Sequence, residues 1–142
     1  MKIIVVEDDN SIRELICATL TAAGYETEAF SDGKALFRSP KYSKADMYLL
    51  DIMLPVMDGY EIFRKLRGET DAPVIFLTAK GEDIDRASGL QMGADDYIVK
   101  PFGVLEFLAR IKSVMRRYEK TSKRSAVYEV GKLKIEVDSR MV

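Results

Sequence analysis

The chain has 142 residues, 47% of them hydrophobic and 32% charged, and a net charge of −1; this bounds it to one ordinary domain with little left for a second, and excludes a polycation built for nucleic acid. With no histidine and a single cysteine, Cys17, Ser-His-Asp and Cys-His catalysis, imidazole metal sites and an internal disulfide are all excluded. No apolar stretch approaches a membrane span, and Met1-Lys2-Ile3-Ile4 enters a strand directly, leaving no room for a signal peptide, so a cytoplasmic protein is expected.

Ile3–Val6 reads as a buried strand running into Glu7, Asp8 and Asp9. Asn10 or Ser11 can cap the helix that follows, whose stripe is Ile12, Leu15, Ile16, Thr19 and Leu20, with Gly24 placed to end it. Cys17 falls between apolar positions of that helix and reads as a packing residue. Tyr25–Phe30 alternates apolar and charged positions, as an edge strand does. A short helix over Lys34–Arg38 is closed by Pro40, and Tyr48–Leu50 is a third strand running into Asp51. Past the irregular apolar loop Ile52–Met57, Asp58 and Glu61 form a capping box for a helix through Arg67. Pro73 opens the strand Val74–Leu77, which ends at Thr78. Glu82–Met92 is helical with Gly93 as its stop, Tyr97–Val99 is a strand ending at Lys100, and Phe102–Tyr118 is the last helix, with Leu105, Leu108, Ile111 or Lys112, and Met115 along one face.

Five strands and five helices in strict alternation imply an α/β, flavodoxin-like (βα)5 doubly wound parallel sheet of order 2-1-3-4-5. Residues 1–119 form this domain. Residues 120–125, Lys-Thr-Ser-Lys-Arg-Ser, read as a linker; 126–142, with two short strand patterns at Val127–Val130 and Leu133–Val137, read as the incomplete start of a second domain.

Ligands of open α/β sheets lie beyond the carboxyl ends of the strands, so Glu7, Asp8, Asp51, Thr78 and Lys100 are expected on one rim. Two carboxylates about 4 Å apart repel by roughly 4 kcal/mol at an effective dielectric near 20, so such a cluster raises a pKa or recruits a cation. An all-oxygen donor set suits Mg²⁺, commonly with a phosphate. An aspartate beside it can be a nucleophile, with an ammonium and a hydroxyl to neutralise a transferring phosphoryl group. Taken singly, each residue has a plainer reading as a cap, turn or loop residue. All of them together, at the ends of separate buried strands, do not.

Val5-Val6-Glu7-Asp8-Asp9, Asp51-Ile-Met-Leu-Pro-Val-Met-Asp-Gly59, Leu77-Thr78-Ala79 and Gly93-Ala-Asp-Asp-Tyr-Ile-Val-Lys-Pro-Phe102 resemble the CheY-like receiver domain of bacterial response regulators, in order from residue 2 to about 118. Glu106–Lys112 with Arg116-Arg117, and Tyr128–Leu133, resemble the OmpR/PhoB family of transcription factors, whose effector is a winged-helix DNA-binding domain. The resemblance implies that Asp51 accepts a phosphoryl group from a sensor histidine kinase. It implies that Asp8, Asp51 and the Met53 carbonyl hold Mg²⁺, with Glu7 acting through water. Lys100 would bind a phosphoryl oxygen, with a cis bond to Pro101, and Thr78 and Tyr97 would form the switch pair. Activation would dimerise the domain through its fourth helix, fifth strand and fifth helix. Arg86 with Glu106, and Asp95 or Asp96 with Arg110, match the cross-dimer pairs; Ala87, Leu90 and Leu108 match the apolar patch. Gln91 stands where a glutamate is usual, facing Lys112, so one pair of that set is missing.

The reading is therefore a phosphorylation-switched regulator rather than a turnover enzyme, self-phosphorylating and self-dephosphorylating only. It would contact DNA through a full-length effector domain and not through these residues. The competing readings are a haloacid-dehalogenase-like Mg²⁺-dependent phosphatase, which needs a second Asp two residues after its nucleophile, a phosphorylation-independent receiver or interaction module, and a flavodoxin-like cofactor binder. Acids after the first strand would repel the last one's phosphate.

Overall fold

The structure, a computed structural model, describes residues 1–79 and 93–132, the last of these from residue 120 as backbone only. Five strands form one parallel sheet: β1 (Lys2–Val6), β2 (Glu26–Phe30), β3 (Met47–Asp51), β4 (Val74–Ala79) and β5 (Asp96–Lys100), in the order β2-β1-β3-β4-β5. The helices are α1 (Asn10–Ala22), α2 (Gly33–Arg38), α3 (Gly59–Arg67) and a C-terminal helix over Val104–Lys132. The predicted helix over 82–92 lies outside the described residues.

Period-2 alternation along the central strands sorts their side chains into two cores. Ile4, Val6, Tyr48, Leu50, Val74 and Phe76 face α3 and its Ile62, Phe63 and Leu66. Ile3, Val5, Met47, Leu49, Ile75 and Leu77 face α1 and the C-terminal helix, meeting Ile16, Leu20, Phe107 and Ile111. Strands covered on both faces read as unbroken apolar runs. β2, at the edge, has no fully buried residue.

Local signals set the boundaries. The capping box forms as expected: Asp58 Oδ1 accepts from the Glu61 N–H at 2.9 Å, and Glu61 Oε1 from the Asp58 N–H at 3.1 Å. Gly24, at φ +99°, ends α1 in the left-handed conformation that glycine tolerates. The cap at the other end of α1 differs from expectation. Asp9, not Asn10 or Ser11, accepts from the Ile12 N–H at 3.0 Å, because its extended backbone lets the carboxylate reach back over the first turn.

Two helical faces also differ. On α1, Leu15 is exposed while Ile16 and Leu20 are buried. On the C-terminal helix the buried positions are Phe107, Ile111, Val114 and Met115, whereas Leu105 is 85% exposed and Leu108 only partly covered. Phe102 stacks on Phe107 with centroids 5.0 Å apart, and this rotates the i, i+4, i+7, i+8 stripe beginning at 107 toward the sheet. The helix also runs to Lys132, through residues 120–125 read as a linker and Val127–Val130 read as a strand. No proline or glycine interrupts 104–130, so no backbone break stops the helix there. Residues 133–142 lie outside the described residues.

Candidate functional site

The parallel register brings the polar strand ends together. Asp51 lies beside Leu77, Thr78 beside Val99, and Ala79 beside Lys100. Glu7 follows β1 directly; it is wholly buried, Asp51 and Thr78 nearly so, and Asp8 is exposed. Oxygens of Glu7, Asp8 and Asp51 lie within 4.8 Å of one another. The Lys100 Nζ lies 3.1 Å from Glu7 Oε1 and 3.4 Å from Asp51 Oδ2. The Lys100–Pro101 peptide is cis.

The cluster is held by its own backbone. Glu7 Oε2 accepts from the Asp9 N–H at 3.0 Å, and Asp51 Oδ1 from the Met53 N–H at 3.2 Å. The Arg13 guanidinium donates to the Glu7 carbonyl at 2.8 Å and also to Asn10. Gly59 opens α3 against the loop after Asp51: a Cβ there would lie 2.5 Å from the Asp51 carbonyl oxygen and 2.9 Å from the Ile52 Cα. The site therefore needs glycine at 59 for close approach. In the same loop Val56 sits at φ +69° with its side chain fully exposed, a conformation rare for a β-branched residue.

Electrostatics follow from this packing. Burial and the neighbouring Glu7 charge push the Asp51 carboxyl up to about 7, against the opposing pull of Lys100. Burial acts to lower Lys100, but Asp51 and Glu7 outweigh it and the net shift is upward. Three carboxylates face one ammonium, so with all four ionised the cluster carries an excess of two negative charges, which a divalent cation would match. The donor set is all oxygen and one member is open to water. That fits a hard ion which keeps part of its hydration shell.

The remaining predicted residues fall as follows. Thr78 Oγ1 donates to the Ala79 carbonyl at 3.4 Å. The Tyr97 ring is buried and lies 5.6 Å from that of Phe76. Arg110 is clamped within its own chain, by Asp96 at 3.0 Å and Glu106 at 3.5 Å. Asp95 Oδ2 accepts from the Val74 N–H at 3.0 Å. Arg86, Ala87, Leu90 and Gln91 lie outside the described residues. Sequence reasoning missed the Arg13 contact and the strain at Val56. The first depends on the angle at which α1 leaves Asp9. The second was visible as a valine after Pro55, in a loop that must turn back sharply toward Gly59.

A model of the response regulator receiver domain matches residues 3–112. The chain belongs to that family. Among its relatives, the "Probable transcriptional regulator ycf27" of Pyropia yezoensis is 42% identical over 146 residues, covering 99% of this chain and 60% of that protein. The "Response regulator ArlR" of Staphylococcus epidermidis is 45% identical over 115 residues, 81% of this chain and 52% of that protein. The chain thus spans 60% or less of the length of these two relatives. Among solved structures, the BeF3-activated N-terminal receiver domain of Klebsiella pneumoniae RstA is similar at TM-score 0.75 and 36% identity, covering 82% of this chain and 99% of that one. The Vibrio cholerae chemotaxis protein CheY4 is similar at TM-score 0.72 and 32% identity, covering 80% and 97%. The sheet order of this receiver domain is the flavodoxin-like one expected, and among the described residues no helix is long and apolar enough to cross a membrane.

Proposed function

We propose that this receiver domain accepts a phosphoryl group on Asp51 from a sensor histidine kinase, with Mg²⁺ bound at Asp8, Asp51 and the Met53 carbonyl and Glu7 acting through water. One observation carries the reading: a buried carboxylate, Asp51, lies with two further acids and a lysine on the rim at the carboxyl ends of the strands. Mg²⁺ would supply charge neutralisation for the phosphoryl oxygens when bound. An Asp51 oxygen attacks phosphorus, the donor keeps the electron pair of the bond that breaks, and an acyl phosphate results. Lys100, already within reach of Asp51, turns to a phosphoryl oxygen, and Thr78 offers its hydroxyl to another. Tyr97 then secures the switched state from its buried position, biasing a two-state equilibrium.

Pairing of two receivers through the face that carries Asp95, Asp96, Glu106, Leu108 and Arg110, together with Arg86, Ala87 and Leu90, is part of the same reading. The Arg110–Asp96 contact within one chain means that a cross-dimer pair replaces an existing one, so charge supplies orientation more than affinity. Residues 1–119 are the receiver, 120–125 a linker and 126–142 the start of a winged-helix effector that would meet DNA in a cytoplasmic transcription regulator. Relatives named transcriptional regulators support this. The protein acts as a regulator, with only its own phosphorylation and dephosphorylation as chemistry. The phosphatase reading is disfavoured because Asn10 stands two residues after Asp8 and Met53 two after Asp51, so neither has the second Asp that reading needs.

The test is intact-mass spectrometry after incubation with acetyl phosphate and Mg²⁺, beside Asp51→Asn. A single phosphoryl adduct that depends on both Mg²⁺ and Asp51 is expected. No adduct on the folded protein would leave a phosphorylation-independent interaction module.

A further inference from the structure

Away from the rim, α2, α3 and the loops beside them line an open groove of about 580 Å³, a size ordinary for a small-molecule site. Its walls carry three cations: Lys34 and Arg38, one turn apart on α2, and Lys65 on α3. Among the described residues none of the three makes an ion pair. Like charges at i, i+4 destabilise a helix, and α2 is only six residues long, so the cluster costs the fold something it does not recover internally. Between the cations the lining is aromatic and apolar. Phe37 is half-buried and meets Tyr42 edge to face at 5.0 Å; the Lys65 Nζ lies 5.8 Å from the Phe37 centroid, and Met57 closes one end. The one acid, Glu69, is engaged by the Tyr42 hydroxyl at 2.5 Å.

We propose that this groove binds a nucleoside phosphate. The phosphate answers the three lysine and arginine charges, a planar base lies on the ring and thioether surface, and Glu69, fixed by Tyr42, accepts from a base amino group. Cations flanking aromatic faces are the combination that recognises a charged group joined to a flat π-system. The site does not depend on phosphorylation of Asp51. It contains no residue of the acidic rim, although Met57 lies in the loop that follows Asp51.

The test titrates the full chain, in EDTA so that no metal can bridge phosphate to the acidic rim, with AMP and GMP. Inorganic phosphate and a Glu-rich peptide carrying phenylalanine serve as comparison probes, and backbone amide resonances are followed. Saturable shifts at residues 34–42 and 57–69 with the nucleotides are expected, with inorganic phosphate at least about tenfold weaker. A Lys34→Gln/Arg38→Gln/Lys65→Gln variant should lose about tenfold or more in affinity with a melting temperature no lower than that of the original chain, and Phe37→Leu a few-fold. The proposal is overturned by an absence of shifts, by phosphate binding as well as the nucleotides, by shifts confined to the Asp8–Asp51 rim, or by binding of the peptide alone, which would assign the groove to an acidic protein partner.

Discussion

Lys100 sits closer to Glu7, at 3.1 Å, than to Asp51, at 3.4 Å, so the ammonium is shared between the site's two buried acids. Glu7 has no exposure at all. A fully buried carboxylate needs a permanent partner, and the parallel sheet delivers one from a strand 93 residues away. Removing that partner leaves two buried acids facing each other. Lys100→Met is expected to cost about 2 kcal/mol or more of stability, more at pH 8 than at pH 5, where Asp51 holds a proton. Urea unfolding at the two pH values checks it. Equal losses at both would show that the ammonium does not neutralise the acids.

Asp51 carries the opposite sign. Its folded value, raised to about 7, lies above its unfolded value near 3.9. The folded state thus holds a proton that the unfolded state releases, and stability from this group falls as pH rises from about 4 to about 7. Lys100, also raised, contributes stability up to its ordinary value near 10.4 and loses it only above that, so it leaves this window untouched. Without divalent cations, Asp51→Asn should stabilise the protein at pH 8 by on the order of 2 kcal/mol, with the gain shrinking toward pH 5. Chemical denaturation across pH reads this directly.

A cation that matches the excess charge binds the folded state alone. Mg²⁺ at ten times its Kd should add roughly 1.4 kcal/mol of stability, seen as a rise in melting temperature over an EDTA control. The rise should vanish in Asp8→Asn and in Asp51→Asn. Its persistence in Asp8→Asn would place the ion away from the exposed acid.

Gly59 is constrained by backbone atoms, which cannot rotate away as a side chain could. A methyl group 2.5 Å from the Asp51 carbonyl must displace the loop or the start of α3. Gly59→Ala is expected to cost about 1 to 3 kcal/mol and to slow phosphorylation by acetyl phosphate. A stable variant with unaltered phosphorylation would mean that the loop yields freely.

Val56 makes the contrary case. Its side chain packs against nothing while its backbone holds φ +69°, a region that asparagine tolerates and a β-branched residue does not. Val56→Asn should therefore gain about 1 kcal/mol, read from the shift in thermal midpoint.

Capping boxes, glycine stops and alternating apolar positions act over a few residues, and they were legible wherever one element's own sequence carries the pattern. The acids, hydroxyl and lysine at the strand ends were legible as well, because a parallel sheet necessarily gathers the carboxyl ends of its strands. What escaped was set by neighbours distant in the chain. Leu105 and Phe107 are both apolar on one helix, and packing against the sheet, with Phe102 stacked on its ring, places the second in the core. The helical path through 120–132 escaped for another reason: a polar, unpatterned stretch reads as a linker, yet nothing in it forbids a helix.

The chain by itself determined the order of elements and the types of groups at the rim, since both follow from local periodicity and from chain connectivity. Only the tertiary structure decided that Glu7 is wholly buried, that Lys100 serves two acids and that Asp51 titrates near neutrality. Those properties depend on desolvation and on charge–charge distance, and both are set by packing between segments whose separation in sequence carries no information about their separation in space.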